Sequence, residues 1–378
     1  MKEWKVPLYK IFTDDEDIRL VNEVISRGTQ WAIGPEIEEF ENQIAKYVGT
    51  KYCVSYNSGT SGLHAVMQAY GIGKDDEVIV PSFSFISTAN SVIFVNGKPI
   101  FSDIEDENFG LNPLLLENKI SDNTKAIMPM DYAGQSCKIS EIKEIADKHG
   151  LLLIEDSAES LGCTINGVKV GKISDCAIFS FTGNKVMTTG EGGAVTTDSK
   201  EIYEKLKLIR SHGRIDSTNY FENPNVSDYV NVGYNWRMPT ISAALGLAQL
   251  SKLEKIIKMR KDNAKFLSER LSKHKEIEVP SAKSGSEHIF QMYTIKLKNQ
   301  TIRDKLHEFL TEKRIFSKIY FPPIHLTKFY IQKYKTYRGM LPVTEDISNR
   351  VLTLPMYPNM TDNEKDLIVD EIDEFFKE

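Results

Sequence analysis

Cysteine is scarce. The 378 residues hold four, at positions 53, 137, 163 and 176, and none has C-x-x-C spacing. That argues against a disulfide frame and against a zinc site, and it reads as free thiols in a reducing compartment. Long apolar runs are missing too. The opening Met1-Lys2-Glu3-Trp4-Lys5 lacks the apolar stretch of a secretory leader, and the strongly apolar run at 151–154 is only as long as a buried strand. A cytoplasmic protein without a membrane span is expected. Positive charge is not in excess: 47 basic against 53 acidic side chains give a net charge of −6, which disfavours a sequence-independent grip on nucleic acid. There is no internal repeat and no Pro/Gly/Ser-rich linker. The familiar nucleotide motifs also fail, since Gly59-Thr60-Ser61-Gly62 is only G-x-x-G, and neither G-x-G-x-x-G after a strand nor G-x-x-x-x-G-K-[S/T] occurs.

What is present is alternation. At 41% hydrophobic residues the chain can bury a substantial core, and its length suits two or three domains. An amphipathic helix is predicted over 37–47, with Phe40, Ile44 and Tyr47 on one face. Strand-like runs at 52–56, 77–80 and 125–128 are each followed by a helical pattern, over 61–70, 86–95 and 140–149. Another strand follows at 151–154, and two more, at 176–181 and 193–197, flank a glycine-containing turn. This order predicts βαβ crossovers and a mostly parallel sheet. One long helix is predicted over 239–260, its apolar face marked by Ile241, Ala244, Leu245, Ala248 and Leu253. Beyond it lie strands at 277–279 and 292–297 and helices at 302–312 and 362–376, a smaller α/β unit. The division falls at 1–250 and 251–378.

Three stretches carry chemistry. In Asn57-Ser58-Gly59-Thr60-Ser61-Gly62, a glycine turn leads into a helix whose first amides, with two hydroxyls, suit a phosphate; an ordinary N-cap is the other reading. Leu151-Leu152-Leu153-Ile154 delivers Asp156 to the carboxyl end of a buried strand, where open α/β sheets bind ligands. A carboxylate there needs a cation or several hydrogen bonds, and the sequence supplies no basic neighbour, which leaves a ligand cation or a helix-capping role. Lys185 follows the apolar strand 176–181 in a loop with several glycines. Held there it would lose solvation and become available for Schiff-base chemistry; in isolation it would be one more solvated lysine. Together these are the three handles of pyridoxal phosphate: a phosphate cradle, a carboxylate for the ring nitrogen, and a lysine for the covalent link.

With these stretches in order, the chain resembles the DegT/DnrJ/EryC1/StrS sugar aminotransferases, fold type I, from about residue 6 to 376. The resemblance rests on Gly34-Pro35, Ser58-Gly59-Thr60-Ser61-Gly62-Leu63-His64, Pro81-Ser82-Phe83-Ser84-Phe85, Glu155-Asp156-Ser157-Ala158-Glu159-Ser160 and Ser180-Phe181-Thr182-Gly183-Asn184-Lys185. It continues through Gly190-Glu191-Gly192-Gly193, Gly233-Tyr234-Asn235-Trp236-Arg237-Met238-Pro239, Tyr320-Phe321-Pro322-Pro323-Ile324-His325 and Leu354-Pro355-Met356-Tyr357-Pro358.

The resemblance implies a large domain with a mostly parallel seven-stranded sheet between helices and a smaller C-terminal α/β domain. It implies pyridoxal 5'-phosphate, cycling through pyridoxamine 5'-phosphate, and no metal. Lys185 would form the imine, Asp156 would pair with the pyridinium, and Glu159 would lie near the phenolic oxygen. Phe85 would cover one ring face, while Gly59, Thr60 and Ser180 would hold the phosphate. Asn235 would reach the phosphate of a second subunit in a homodimer with shared sites. Because Lys185 is present, transamination is expected over the dehydration done by members with histidine there.

The stretch after Lys185, Thr188-Thr189-Gly190-Glu191-Gly192-Gly193, resembles that of perosamine synthases and other enzymes that aminate C4 of a nucleotide-linked 4-keto-6-deoxyhexose, with L-glutamate as donor, for surface-glycan biosynthesis. Asp131-Tyr132-Ala133-Gly134-Gln135 is instead similar to 4-aminotransferases of UDP-linked acetamido sugars. C3 amination fits less well. Arg237, His212 and Arg214 are candidate diphosphate partners or salt-bridge residues. Tyr320 and His325 are sugar-facing candidates or turn packing.

Overall fold

A strand buried on both faces reads as a near-continuous apolar run, and a sheet of such strands needs helices on each side. The computed structural model, which describes residues 3–215, 228–282 and 285–377, has that arrangement. Its main sheet contains β1 (Tyr52–Tyr56), β2 (Glu77–Pro81), β3 (Lys98–Ser102), β4 (Thr124–Ile127), β5 (Leu152–Asp156), β6 (Cys176–Ser180) and β7 (Gly193–Thr197). Their spatial order is β1-β7-β6-β5-β4-β2-β3. β7 runs antiparallel to both its neighbours, and the remaining pairs are parallel, so the expected mostly parallel seven-stranded sheet is observed.

The helices that cover it are α1 (Asp15–Arg27), α2 (Pro35–Val48), α3 (Gly59–Ala69), α4 (Ile86–Phe94), α5 (Ile139–His149), α6 (Lys200–Arg210) and α7 (Thr240–Ser251). Alternation along each strand decides which cover it meets. On β6, Cys176 and Ile178 pack with Leu63, Val92 and Leu206 from α3, α4 and α6. Ala177 and Phe179 point the other way, into a core with Phe40 and Ile44 of α2 and Ala243 of α7. Phe40 and Ile44 are fully buried, worth roughly 1.5–3 kcal/mol each.

The single helix predicted over 239–260 is two helices. α7 ends at Ser251, Lys252 leaves helical geometry (φ −115°, ψ 10°), and α8 (Leu253–Leu271) begins beyond it. The cause is tertiary. α1, which the hydrophobic pattern does not reveal, presents Asp14 and Asp17 to the nearly buried Lys252, Asp17 at 2.6 Å. Gln249 also donates to Asp17 at 2.8 Å. No glycine or proline marks this break.

The C-terminal lobe has a three-stranded antiparallel sheet, β8 (Ile277–Glu278), β9 (Tyr293–Leu297) and β10 (Val351–Leu354), with β9 in the middle. Leu267 and Leu271 of α8, Leu306 and Leu310 of α9 (Gln300–Glu312), and Ile368 and Ile372 of α10 (Asp362–Phe375) form its core. Residues near the N-terminus join this lobe. Val6 is fully buried in it, Phe316 donates to the Val6 carbonyl at 2.9 Å and Met356 to that of Leu8 at 3.1 Å. Among the described residues, no helix is long and apolar enough to cross a membrane.

Candidate active site

Five turns meet at the carboxyl edge of the sheet, and steric demands fix the first two against each other. Ser58 caps α3, its Oγ accepting from the Ser61 amide at 3.1 Å. A β-carbon on Gly193 would lie 2.5 Å from the Ser58 carbonyl and 2.6 Å from the Gly59 nitrogen, so only glycine allows β7 to run this close. A β-carbon on Gly59 would come within 3.1 Å of Ser180 Cβ. The start of α3 is thus clamped beside the end of β6. The first amides of a helix lack an intrahelical acceptor, so with the partial positive charge of the helix end those at Gly59 and Thr60, beside Ser180 at the end of β6, could cradle an anion.

β5 delivers Asp156, which is 3% exposed. Thr88 Oγ1 donates to it at 2.7 Å and the Ala158 amide at 3.3 Å. Burial pushes its pKa up to about 6, against the opposing pull of Thr88, Ala158 and the charge of Lys185. No ion pair to Asp156 forms among the described residues. Glu159, one turn further on, accepts from the Ala133 amide at 3.0 Å and from Lys185 Nζ at 3.3 Å. Lys185 sits in the loop that joins β6 to β7, whose ends pair at Ser180 and Gly193. Phe85 stands at the N-terminal end of α4 and is 56% exposed. The structure therefore brings Lys185, Glu159 and Asp156 together at one edge, with the Gly59–Ser180 cradle on the same edge.

These groups fit pyridoxal phosphate on their own chemistry. A buried carboxylate that lacks a cationic partner matches a protonated ring nitrogen, the cradle matches a dianionic phosphate, and the primary amine of Lys185 matches an aldehyde.

Other expected residues lie elsewhere. Asn235 pairs with Ser211 across a short bridge and is exposed. Arg237 Nη1 donates to Ser211 Oγ at 3.2 Å and Arg214 Nη2 lies 3.5 Å from the same oxygen; both arginines line a cavity of about 770 Å³. Arg214 is buried, not a surface residue, and His212 is exposed with φ +62°. Trp236 accepts from the Asn57 amide at 2.9 Å, so this second group adjoins the turn that leads to Gly59. Tyr320 lines a small void with Tyr9 and Asn184.

His325 is corrected outright. It is wholly buried, with Nδ1 2.6 Å from Ser82 Oγ and Nε2 3.1 Å from Glu345, so both ring nitrogens are occupied by protein. It packs the turn and does not face a ligand. Asp131-Tyr132-Ala133-Gly134-Gln135 is also buried throughout, and Asp131 accepts from the Cys137 amide and the Ser157 and Ser160 hydroxyls at 2.9–3.0 Å. Thr88 and the Ala133 amide, which hold the two carboxylates, carry no motif; only the fold brings them there.

A mostly parallel sheet that holds a buried carboxylate, a lysine and an anion cradle on its carboxyl edge defines a pyridoxal-phosphate-dependent enzyme. Residues 12–373 match the DegT/DnrJ/EryC1/StrS aminotransferase family, and the chain belongs to it: it is a pyridoxal-phosphate-dependent sugar aminotransferase. It is 36% identical over 351 residues to GDP-perosamine synthase of Caulobacter vibrioides, covering 92% of each chain. It is 32% identical to GDP-perosamine synthase of Vibrio cholerae, covering 98% of this chain and 99% of that one. Among solved structures, Helicobacter pylori PseC, an aminotransferase involved in the biosynthesis of pseudoaminic acid, superposes with a TM-score of 0.92 at 28% identity, covering 98% and 99% of the two chains.

Proposed function

We propose that the enzyme moves the amino group of L-glutamate to C4 of a nucleotide-linked 4-keto-6-deoxyhexose, with a GDP-linked sugar as acceptor, in amino-sugar biosynthesis. The observation that carries this reading is the near full-length match to proteins named GDP-perosamine synthase. In it, Lys185 anchors the cofactor and Asp156 faces the ring nitrogen, while Glu159 lies near the phenolic oxygen and Phe85 covers the ring. Gly59, Thr60 and Ser180 hold the phosphate. Bound pyridoxal phosphate supplies the electron sink and carries the amino group between substrates.

The chain's own residues do the rest. Lys185 Nζ takes the proton from the donor α-carbon and, in the second half-reaction, delivers one to C4 of the sugar. Glu159, 3.3 Å from that nitrogen, holds it in place. Asp156, buried and hydrogen-bonded by Thr88, keeps its charge aimed at the ring nitrogen instead of at water. Arg237, Arg214 and His212 are assigned to the diphosphate and Tyr320 to the sugar. Asn235 serves the phosphate of the second subunit of a homodimer. The division at 1–250 and 251–378 is retained, with residues 5–8 added to the smaller domain.

A second reading, a UDP-linked 4-keto acetamido sugar as acceptor, rests on the resemblance of Asp131-Tyr132-Ala133-Gly134-Gln135 to 4-aminotransferases of such sugars. Its sequence support weakens, because the residues of 131–135 are internal scaffold. Incubation with glutamate and a panel of GDP- and UDP-linked 4-keto sugars separates the two. Amination of the UDP-linked acetamido sugar alone overturns the first reading, and no amination of any 4-keto sugar overturns both.

A further inference from the structure

The peptide plane that carries Lys185 is held at both ends. Its N–H donates to the Thr182 carbonyl at 3.0 Å, within the loop. Its C=O, that of Asn184, accepts from Gln291 Nε2 at 2.7 Å, from the segment that enters β9 in the C-terminal lobe. With both ends fixed, the plane cannot rock, and the volume that Nζ can sweep shrinks accordingly.

Gln291 is itself firmly placed. It is 3% exposed, and the buried Arg260 donates from Nη1 to the carbonyls of Phe290, Gln291 and Met356 at 3.1–3.2 Å. On the other side, Ile289 donates to the Gly134 carbonyl at 2.9 Å and Met292 to that of Ala133 at 3.2 Å. Gly134 has φ +97°, and a β-carbon there would lie 2.8 Å from the Gln291 nitrogen, so the approach depends on glycine. Ala133 is the residue whose amide holds Glu159. The segment 289–292 therefore touches the supports of both members of the Lys185–Glu159 contact.

One further detail separates this from plain packing. Gln291 Oε1 is buried with no hydrogen-bond partner among the described residues. Leucine or methionine would fill the same space without stranding an acceptor. The stranded oxygen is the cost of the bond made by the other end of the amide.

We propose that Gln291 is a positioning residue for the transamination: by holding the Asn184 carbonyl from the C-terminal lobe, it fixes the reach of Lys185 Nζ toward Glu159 and the bound cofactor. This rests on Lys185 as the cofactor's anchor, so the test begins there. Borohydride reduction of the wild-type holoenzyme, followed by peptide mapping, must place the adduct on Lys185. An adduct at another residue overturns the Lys185 assignment itself.

With that in place, Gln291→Met removes the donor at similar volume, and Gln291→Glu keeps size and polarity but presents an acceptor to an acceptor. The glutamate variant covers the case in which the methionine variant does not fold. In each, kcat is expected to fall about tenfold, within what one lost buried hydrogen bond can carry, while KM for glutamate changes less than about twofold. The pH midpoint of the visible absorption band of the lysine-linked cofactor is expected to move by about half a unit or more. A lowered Tm with midpoint and kcat unchanged would show a purely structural glutamine and overturn the proposal.

Discussion

The carboxyl ends of β4 and β5 lie side by side, and each leads to a buried aspartate, Asp131 beyond β4 and Asp156 as the last residue of β5, yet the two are treated differently. Asp131 receives three protein donors, from Cys137, Ser157 and Ser160. It also neighbours Glu155, whose carboxyl is pushed well up by burial and by the charge of Asp131. Asp156 receives one short side-chain hydrogen bond and one long backbone one, and no further donor among the described residues. Asp131 is closed off by the protein. Asp156 is left under-satisfied on the edge where Lys185 stands. The difference teaches how to separate a carboxylate that holds a fold from one that awaits a ligand: burial is equal, and the count of donors is not.

The contrast breaks first at Lys185. Lys185→Ala should bind cofactor yet fail to sustain turnover, a loss of at least about a thousandfold in steady-state amino-sugar formation; continued cycling by this variant would end the catalytic reading of the whole edge. Next comes a pH effect on the cofactor-free chain. The folded pKa of Asp156, near 6, lies above the value near 4 of an unfolded aspartate. The folded chain thus holds that proton more tightly, and its stability declines as pH rises from about 4 to about 6, by roughly 3 kcal/mol from this group. Asp156→Asn should flatten that slope in denaturant titrations, and an unaltered slope would mean that another group causes it.

Asp156→Asn should also cost about a hundredfold in kcat, since a neutral amide no longer stabilises a charged ring nitrogen. Near wild-type kinetics would remove the distinction between the two aspartates. The smallest effect is expected at Asp131→Asn: about 1–2 kcal/mol of stability, with kcat within about twofold. Should this variant lose rate as steeply as Asp156→Asn, the assignment of Asp131 to the scaffold fails.

Much of the edge was legible in the sequence because short-range chemistry writes it. An apolar run ending in Asp156, a Ser-Gly-Thr turn before α3, and Lys185 between two strand-like runs all have local causes. What escaped detection depends on contacts remote in the chain. Thr88 looks like any residue of α4 until β5 is placed beneath it. Gln291 lies in the other lobe from Asn184. The break at Lys252 is set by Asp14 and Asp17 of α1, which a hydrophobic pattern cannot report. The D-x-x-D spacing of Asp14 and Asp17, a capping box in the structure, is a local signal of where α1 begins. For His325 the resemblance of its segment to a sugar-facing one and the turn packing suggested by Pro322 and Pro323 point opposite ways, and only Ser82 and Glu345, both remote in the chain, decide for packing.

β7 is the one strand that reverses direction, and it follows directly from the loop that holds Lys185. The chain that leaves β1, β2 or β4 travels over a helix, α3, α4 or α5, before it returns to the sheet. Here it doubles straight back, so both feet of the loop are driven into the middle of the scaffold, with β5 on one flank and β1 on the other. Such a tip can be re-lettered, even to a residue with other chemistry, while its footing stays unmoved. A fold of this kind is free to change its reaction without relearning how to assemble.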